Sequence, residues 1–355
     1  MKRSQVHTRR PPGSRLALRC APVVALLVLL AGCGSSGTSS RETGQAVGAH
    51  WLSFRHVPGV VDLTGPRRDG RLTVTAAGRL FLLRPGGALS AFARGPVGYQ
   101  AGAGDEPYIA LSPAKPPRGA GCSFGRDALY ALSLGSRPAV VVVDAQGRAR
   151  RFAELPGGET PKGIAFDEVG RFDHRLLVTG AAGSKTDIFI LDCRGHVRTL
   201  TRSAPRLEGG IAVAPRTFGR YAGELIAPDE NSGHVIAVDA RGTAKTIADS
   251  GLPTGGDIGI ESAGFVPPGF GRADAAYLAD RGVPGNAHPG TDSILMLRGT
   301  ALARVGVVAG DLLIASEGGA QTIAVRCRKT CTVRHIADGP AVTHGEGHIV
   351  FGPAG

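Results

Sequence analysis

The chain has few aromatic residues. They make up 5% of 355 positions, and Trp51 is the sole tryptophan. The core must therefore be built from Val, Leu, Ile and Ala. The apolar run Ala21 to Ala31 is too short to span a bilayer. Lys and Arg never extend beyond pairs or triplets, so the basic footprint of a nucleic-acid binder is missing. No nucleophile elbow, phosphate-binding glycine loop or HExxH helix is read from the sequence. What is abundant is turn material, with Gly 54 and Pro 24. Hydrophobic residues at 42% leave enough for a core of short strands.

The clearest unit runs from Glu208 to Asp249. Four strand-like runs, GIAVA, ELIA, HVIAV and Thr243 to Ile247, are rich in β-branched residues and bounded by Gly, Pro, Asp or Asn. Its second strand recurs at Leu72, Leu129, Leu176, Leu225, Tyr277 and Leu312, with spacings of 57, 47, 49, 52 and 35 residues. That is the scale of a propeller blade. Gly-Arg precedes five of these strands (Arg71, Arg126, Arg171, Arg220, Arg272). The Arg row can face an anionic partner, or each Arg can pair within its blade, as Arg220 would with Asp239. Asp-x-x-Gly at 144–147, 192–195 and 239–242 suits a type I turn closed by glycine. Runs such as VIAV are apolar on both faces and need neighbours on both sides. The expectation is an all-β, six-bladed β-propeller of four-stranded blades over residues 57–355. Seven first-strand candidates leave its closure open, and the C-terminal strand is expected to close the ring beside the N-terminal blade.

The runs GELIAPDENSGHVIAVDARG and RLLVTGAAGSKTDIFILDCRG resemble the NHL, gluconolactonase (SMP-30) and TolB-like group of six-bladed propellers. At the N-terminus, a basic stretch and the apolar run end in Leu30-Ala31-Gly32-Cys33, which resembles the lipobox of bacterial lipoproteins. That resemblance implies cleavage before Cys33 and lipid on Cys33. Residues 1–32 are then a signal peptide and 33–56 a lipidated tether, GSSGTSS included. The protein would be held at the extracytoplasmic side of the cell membrane. Removing six basic and no acidic residues lowers the formal charge from +12 to +6. Four later cysteines remain. Cys327 and Cys331 flank a three-residue turn between strand-like runs, where a disulfide is plausible in an exported protein. Cys122 and Cys193 can pair or stay free.

Candidate chemistry gathers at one register. Seven residues before the proline that ends several first strands stand Glu106, Glu208, Glu261 and Glu346. Such glutamates should converge on the channel mouth, where they either bind a cation, calcium fitting best, or accept hydrogen bonds from blade backbone. Glu208-Gly209-Gly210 and Glu346-Gly347-His348 resemble the Glu-Gly-Pro segment of the SMP-30 family, whose Glu is a metal ligand. Loops between second and third strands add Asp229, Glu230, Asn231, Asp280, Asp292 and Glu317 on the same face. His344, Glu346 and His348 alternate, as a transition-metal set or as channel hydrogen-bonding residues. Two functional readings follow. One is a monomeric, surface-anchored scaffold binding a ligand or protein at an acidic mouth. The other is a calcium-dependent lactonase-like hydrolase with Asp229 or Asp280 as base. A quinoprotein dehydrogenase would need a basic, His-containing face, which the acidic mouth opposes.

Overall fold

A computed structural model describes residues 48–102, 106–113, 122–157 and 160–355. The expected signal peptide, Cys33 and most of the expected tether lie outside the described residues. The tether is nonetheless shorter than expected. Strands β1 (Ala49–His50) and β2 (Leu52–His56) already belong to the fold, so folded chain begins before residue 57. Trp51 between them is buried and donates its indole N–H to Thr322 Oγ1 at 2.8 Å.

Four antiparallel sheets follow in chain order. The first holds β3 (Val60–Thr64), β4 (Leu72–Ala76), β5 (Arg79–Leu83) and β6 (Leu89–Phe92). The second holds β7 (Ile109–Leu111), β8 (Leu129–Ser133), β9 (Ala139–Val143) and β10 (Ala149–Glu154). The third holds β11 (Thr160–Phe166), β12 (Leu176–Ala182), β13 (Lys185–Leu191) and β14 (Val197–Ala204). The fourth holds β15 (Ala212–Val213), β16 (Leu225–Asp229), β17 (His234–Val238) and β18 (Ala244–Asp249). All six second strands expected from the repeat are strands in the structure.

The remaining strands are β19 (Ile260–Phe265), β20 (Asp274–Asp280), β21 (Ser293–Arg298), β22 (Leu312–Ser316), β23 (Thr322–Cys327), β24 (Cys331–Asp338) and β25 (Gly345–Pro353), with helix α1 (Gly299–Arg304) after β21. Here the structure departs from six separate blades. Together with β1 and β2 these strands form one nine-stranded sheet in the order β1-β24-β23-β22-β19-β25-β20-β21-β2. The hairpin β20–β21 does not pair with the strand before it. β19 pairs with β22, while β20 pairs with β25 from the far end of the chain. A repeat read along the sequence presumes contiguous blades, and a locally sound hairpin carries no mark of which neighbouring strand it joins. Residues 306–309, one of the seven first-strand candidates, form no strand.

The strands β3, β7, β11, β15, β19 and β25 touch in that cyclic order, β25 returning to β3, and so line a central channel. This is the geometry of a propeller. It explains the burial pattern. β4, β16 and β22 are buried along their whole length because a neighbouring sheet covers each face. Outer strands such as β10 and β18 are mostly exposed or half-buried. The Asp-x-x-Gly turns close as expected. Gly147, Gly195 and Gly242 each have φ of +86° and donate their N–H to the Asp carbonyl at 2.9, 3.0 and 2.9 Å. The Arg row is not uniform: Arg71 pairs with Asp69 of its own blade. Arg220 stacks on Tyr221 instead of reaching Asp239, whose carboxylate accepts from Arg241 and Thr243 backbone. Among the described residues no helix is long and apolar enough to cross a membrane.

Candidate functional site: an acidic chamber at one end of the channel

The inner strands do not run straight into the channel. β11 and β19 each carry an extra residue relative to their partners, Lys162 between Pro161 and Gly163 and Glu261 between Ile260 and Ser262. Such bulges bend the strand and re-aim the side chain. β25 slips its register between Glu346 and Val350, with Gly347 at φ +71°. No composition signal announces these bulges, yet they set which side chains reach the axis.

The result is a chamber of about 280 Å³. Its lining includes the four expected glutamates, Glu106, Glu208, Glu261 and Glu346, together with Glu230 and Glu317 from the loops after β16 and β22. The sequence reading missed its cations, Lys162, Arg206 and Arg281. Their only signal is adjacency, since Arg206 lies two residues before Glu208 and Arg281 directly follows Asp280. The Arg206 guanidinium bridges Glu208 and Glu230, both at 2.9 Å. Lys162 approaches Glu208 at 3.8 Å. Arg281 pairs with Glu106 and lies 3.4 Å from Glu346.

Acid still outnumbers base. Burial, then the charges of Glu208 and Glu317, push Glu230 up to about 7. Burial, then Glu106 and Glu317, push Glu346 up to about 7. Glu261 rises well above the carboxylate range through burial and then Glu208 and Glu346. Hydrogen bonding agrees. The Tyr108 hydroxyl lies between Glu261 Oε1, at 2.8 Å, and Glu346 Oε1. One phenolic proton serves one carboxylate, so the other carboxyl must supply a proton of its own. Burial alone would lower the His344 pKa, but its 2.7 Å contact with Glu317 and that carboxylate's charge outweigh it and raise it. For Lys162, likewise, burial is outweighed by Glu261 and Glu208, and the ammonium is held charged.

Two groups within the chamber bring ligand atoms within 4.8 Å of one another: Glu208 with Glu230 and Glu261, and Glu317 with His344 and Glu346. Calcium binds oxygens at about 2.3–2.6 Å, so carboxylate oxygens under about 5 Å apart can share one ion. The first group, all carboxylate, fits that chemistry, in competition with the Arg206 guanidinium on two of the same side chains.

Other candidates fall elsewhere. His348 does not join His344 and Glu346. The bulge turns its Nδ1 onto the buried Asp62 carboxylate, 3.0 Å from each oxygen. Neither proposed base is free. Asp229 accepts Asn231 N–H at 3.1 Å and the Ser232 hydroxyl at 2.5 Å, closing its own turn. Asp280, fully buried, accepts His344 N–H at 2.9 Å and the Thr291 hydroxyl. Neither lines the chamber, so the base role is withdrawn from both. A G-x-S-x-G string stands at 121–125. Its Ser123 is exposed, bonds the Phe124 carbonyl at 3.0 Å and leads into strand β8 rather than a helix, so it is no nucleophile elbow. Cys327 and Cys331 are joined, as are Cys122 and Cys193.

No protein-family model and no curated protein matches the chain. Solved structures do resemble it. A calcium-binding protein, regucalcin, from Agrobacterium tumefaciens is 14% identical over 86% of this chain and 83% of that one, with a TM-score of 0.48. Virginiamycin B lyase from Staphylococcus aureus is 12% identical over 81% and 93%, at 0.42. A gluconolactonase from Xanthomonas campestris is 14% identical over 70% and 89%, at 0.35. At these scores none carries a function across, and the propeller architecture rests on the sheets themselves.

Proposed function

We propose that the protein is a monomeric, lipid-anchored propeller on the extracytoplasmic side of the cell membrane, whose acidic chamber binds a ligand or partner through a divalent cation. Calcium is the ion the donor set suits. The observation that supports this most is the surplus of buried carboxyls, which must be neutralised by protons or by a metal. In this reading Cys33 carries the lipid, and replacing it with Ala releases the protein from the membrane fraction. Retention of Cys33→Ala on the membrane would remove the anchor from the proposal. We also take the nine-stranded sheet as two blades joined at the single parallel pairing Ala263↔His348, which makes the ring six-bladed.

The test is a thermal melt of the full chain in EDTA and then in calcium. A site filled at 100 times its Kd adds about 2.7 kcal/mol, which moves the midpoint by degrees. Glu208→Gln with Glu346→Gln should abolish the shift and leave the fold intact. An unchanged calcium response in that double variant would sink the metal reading.

The all-carboxylate group Glu208, Glu230 and Glu261 favours a second reading, a calcium-dependent lactonase-like hydrolase. With Asp229 committed to its turn and Asp280 to His344 and Thr291, its base would have to come from the chamber glutamates. Lactone and phosphoester turnover dependent on added calcium is the discriminating assay.

A further inference from the structure

The channel has a second end. Two side chains stand between this end and the acidic chamber. Tyr108 lies on the Glu261 and Glu346 carboxyls, and the His348 imidazole is held by Asp62, with their ring centroids 6.0 Å apart. Past this partition the channel opens into a funnel of about 490 Å³ at the C-terminal ends of the inner strands. That volume falls in the range of small-molecule pockets, roughly 300–1,000 Å³.

Most of the side chains lining it are apolar, with Leu111, Phe166, Val213, Phe265 and Phe351 among them and prolines at the ends of several strands. Leu111 and Val169 are half-buried here and belong to none of the apolar clusters formed by the described residues. They present hydrocarbon to the funnel rather than to the fold. The polar side chains in the wall are already engaged. Thr64 Oγ1 accepts Leu111 N–H at 3.1 Å, Ser112 donates to the Gly125 carbonyl, and His348 is on Asp62.

One group is unspent. Glu168 lines the funnel with its side chain reaching solvent, and among the described residues its carboxylate has no hydrogen bond or ion pair. The nearby Arg216 guanidinium donates to the Val169 carbonyl at 2.8 Å, one residue along from Glu168, and not to the Glu168 carboxylate. Desolvation by the surrounding apolar groups, then the charge of Asp167, raises the Glu168 pKa, as expected of a carboxylate lacking a cation. Hydrocarbon walls with one unpaired acid at the rim complement a molecule that is apolar along its body and positive at one end.

We propose that this funnel is a binding site for a hydrophobic amine, its apolar body between the inner strands and its ammonium on Glu168. The site is independent of the acidic chamber and of any cation bound there.

The experiment is calorimetric titration of the full chain with 1-aminoadamantane and, as its uncharged counterpart, 1-adamantanol. Both should bind, the amine about five-fold more tightly, which is the worth of roughly one exposed charge pair. Glu168→Gln should erase that preference while keeping the alcohol's affinity. Val213→Trp and, separately, Leu111→Trp should block both ligands, with circular dichroism reporting that each variant folds. Glu230→Gln in the acidic chamber should change neither titration. Absence of binding by both compounds overturns the proposal. So does an amine preference that survives Glu168→Gln, or one lost in Glu230→Gln, which would place the amine in the other chamber.

Discussion

Single residues decide how the channel responds to pH. Unfolded, Glu230 and Glu346 titrate near 4.5, and folded they titrate at about 7. Between those values the folded protein holds protons that the unfolded chain releases. Their contribution to stability is therefore complete below the unfolded pKa and is lost as pH rises through about 7. The ceiling is about 3 kcal/mol per carboxyl. His348 acts in the same direction, because burial is outweighed by Asp62 and its pKa is raised. In EDTA, melts should therefore give a lower midpoint at pH 8 than at pH 5.5, and Glu346→Gln should flatten the slope. A midpoint that climbs over that interval would contradict the protonated-carboxyl account. Asp62 carries a different burden. It is fully buried, accepts Ile109 and His348 backbone N–H at 2.8 Å each, and faces the His348 ring. Asp62→Ala leaves the His348 ring and two backbone N–H donors without their acceptor, so urea denaturation should show a loss of about 3–5 kcal/mol. A loss under about 1 kcal/mol would mean the partition is not held by this pair. The four register glutamates were legible in the sequence because they share a spacing. Lys162, Arg206 and Arg281 were not, because their convergence depends on bulges and on which strand lies across the channel.

At the scale of elements, the six second strands and the Asp-x-x-Gly turns were legible because their cause is local. Apolar residues on both faces and a glycine at positive φ need no knowledge of partners. The exchange of β20–β21 into the sheet of β25 was illegible for the complementary reason. Its apolar strands would fit beside either inner strand, and the choice is made by β25 from the far end of the chain. Disulfides show the same division. Cys327–Cys331 closes one hairpin, with a separation of 4 residues, and could be guessed from the turn. Cys122–Cys193, with a separation of 71, ties the segment before β8 to the turn between β13 and β14, and so stitches neighbouring sheets. Loop-closure entropy assigns about 4 kcal/mol to the longer link and about 2 kcal/mol to the shorter. Replacing each pair with serine and comparing urea midpoints should reproduce that order. If the hairpin pair proves the costlier loss, the stitching role given to Cys122–Cys193 is wrong.

Across the whole molecule, the ring depends on joining its two ends. β25, near the C-terminus, is the inner strand beside β20, and β2, near the start of the folded chain, is the outer strand beside β21. The same sheet therefore takes its innermost and outermost strands from opposite ends of the chain, while β1 pairs in parallel with β24. Trp51, between β1 and β2, is 2% exposed and packs in one cluster with Leu295, Leu297 and Ile336. This makes the first described strands a clasp on the fold. Deleting residues 1–45 leaves both strands in place and should not move the melting midpoint. Deleting residues 1–56 removes the tryptophan, whose loss from a core costs about 3–5 kcal/mol, and uncovers β21 as a bare edge. The second truncation should melt about 10 °C lower or more and aggregate on heating. Equal midpoints for the two truncations would show that β2 is dispensable and that closure rests on β25 alone.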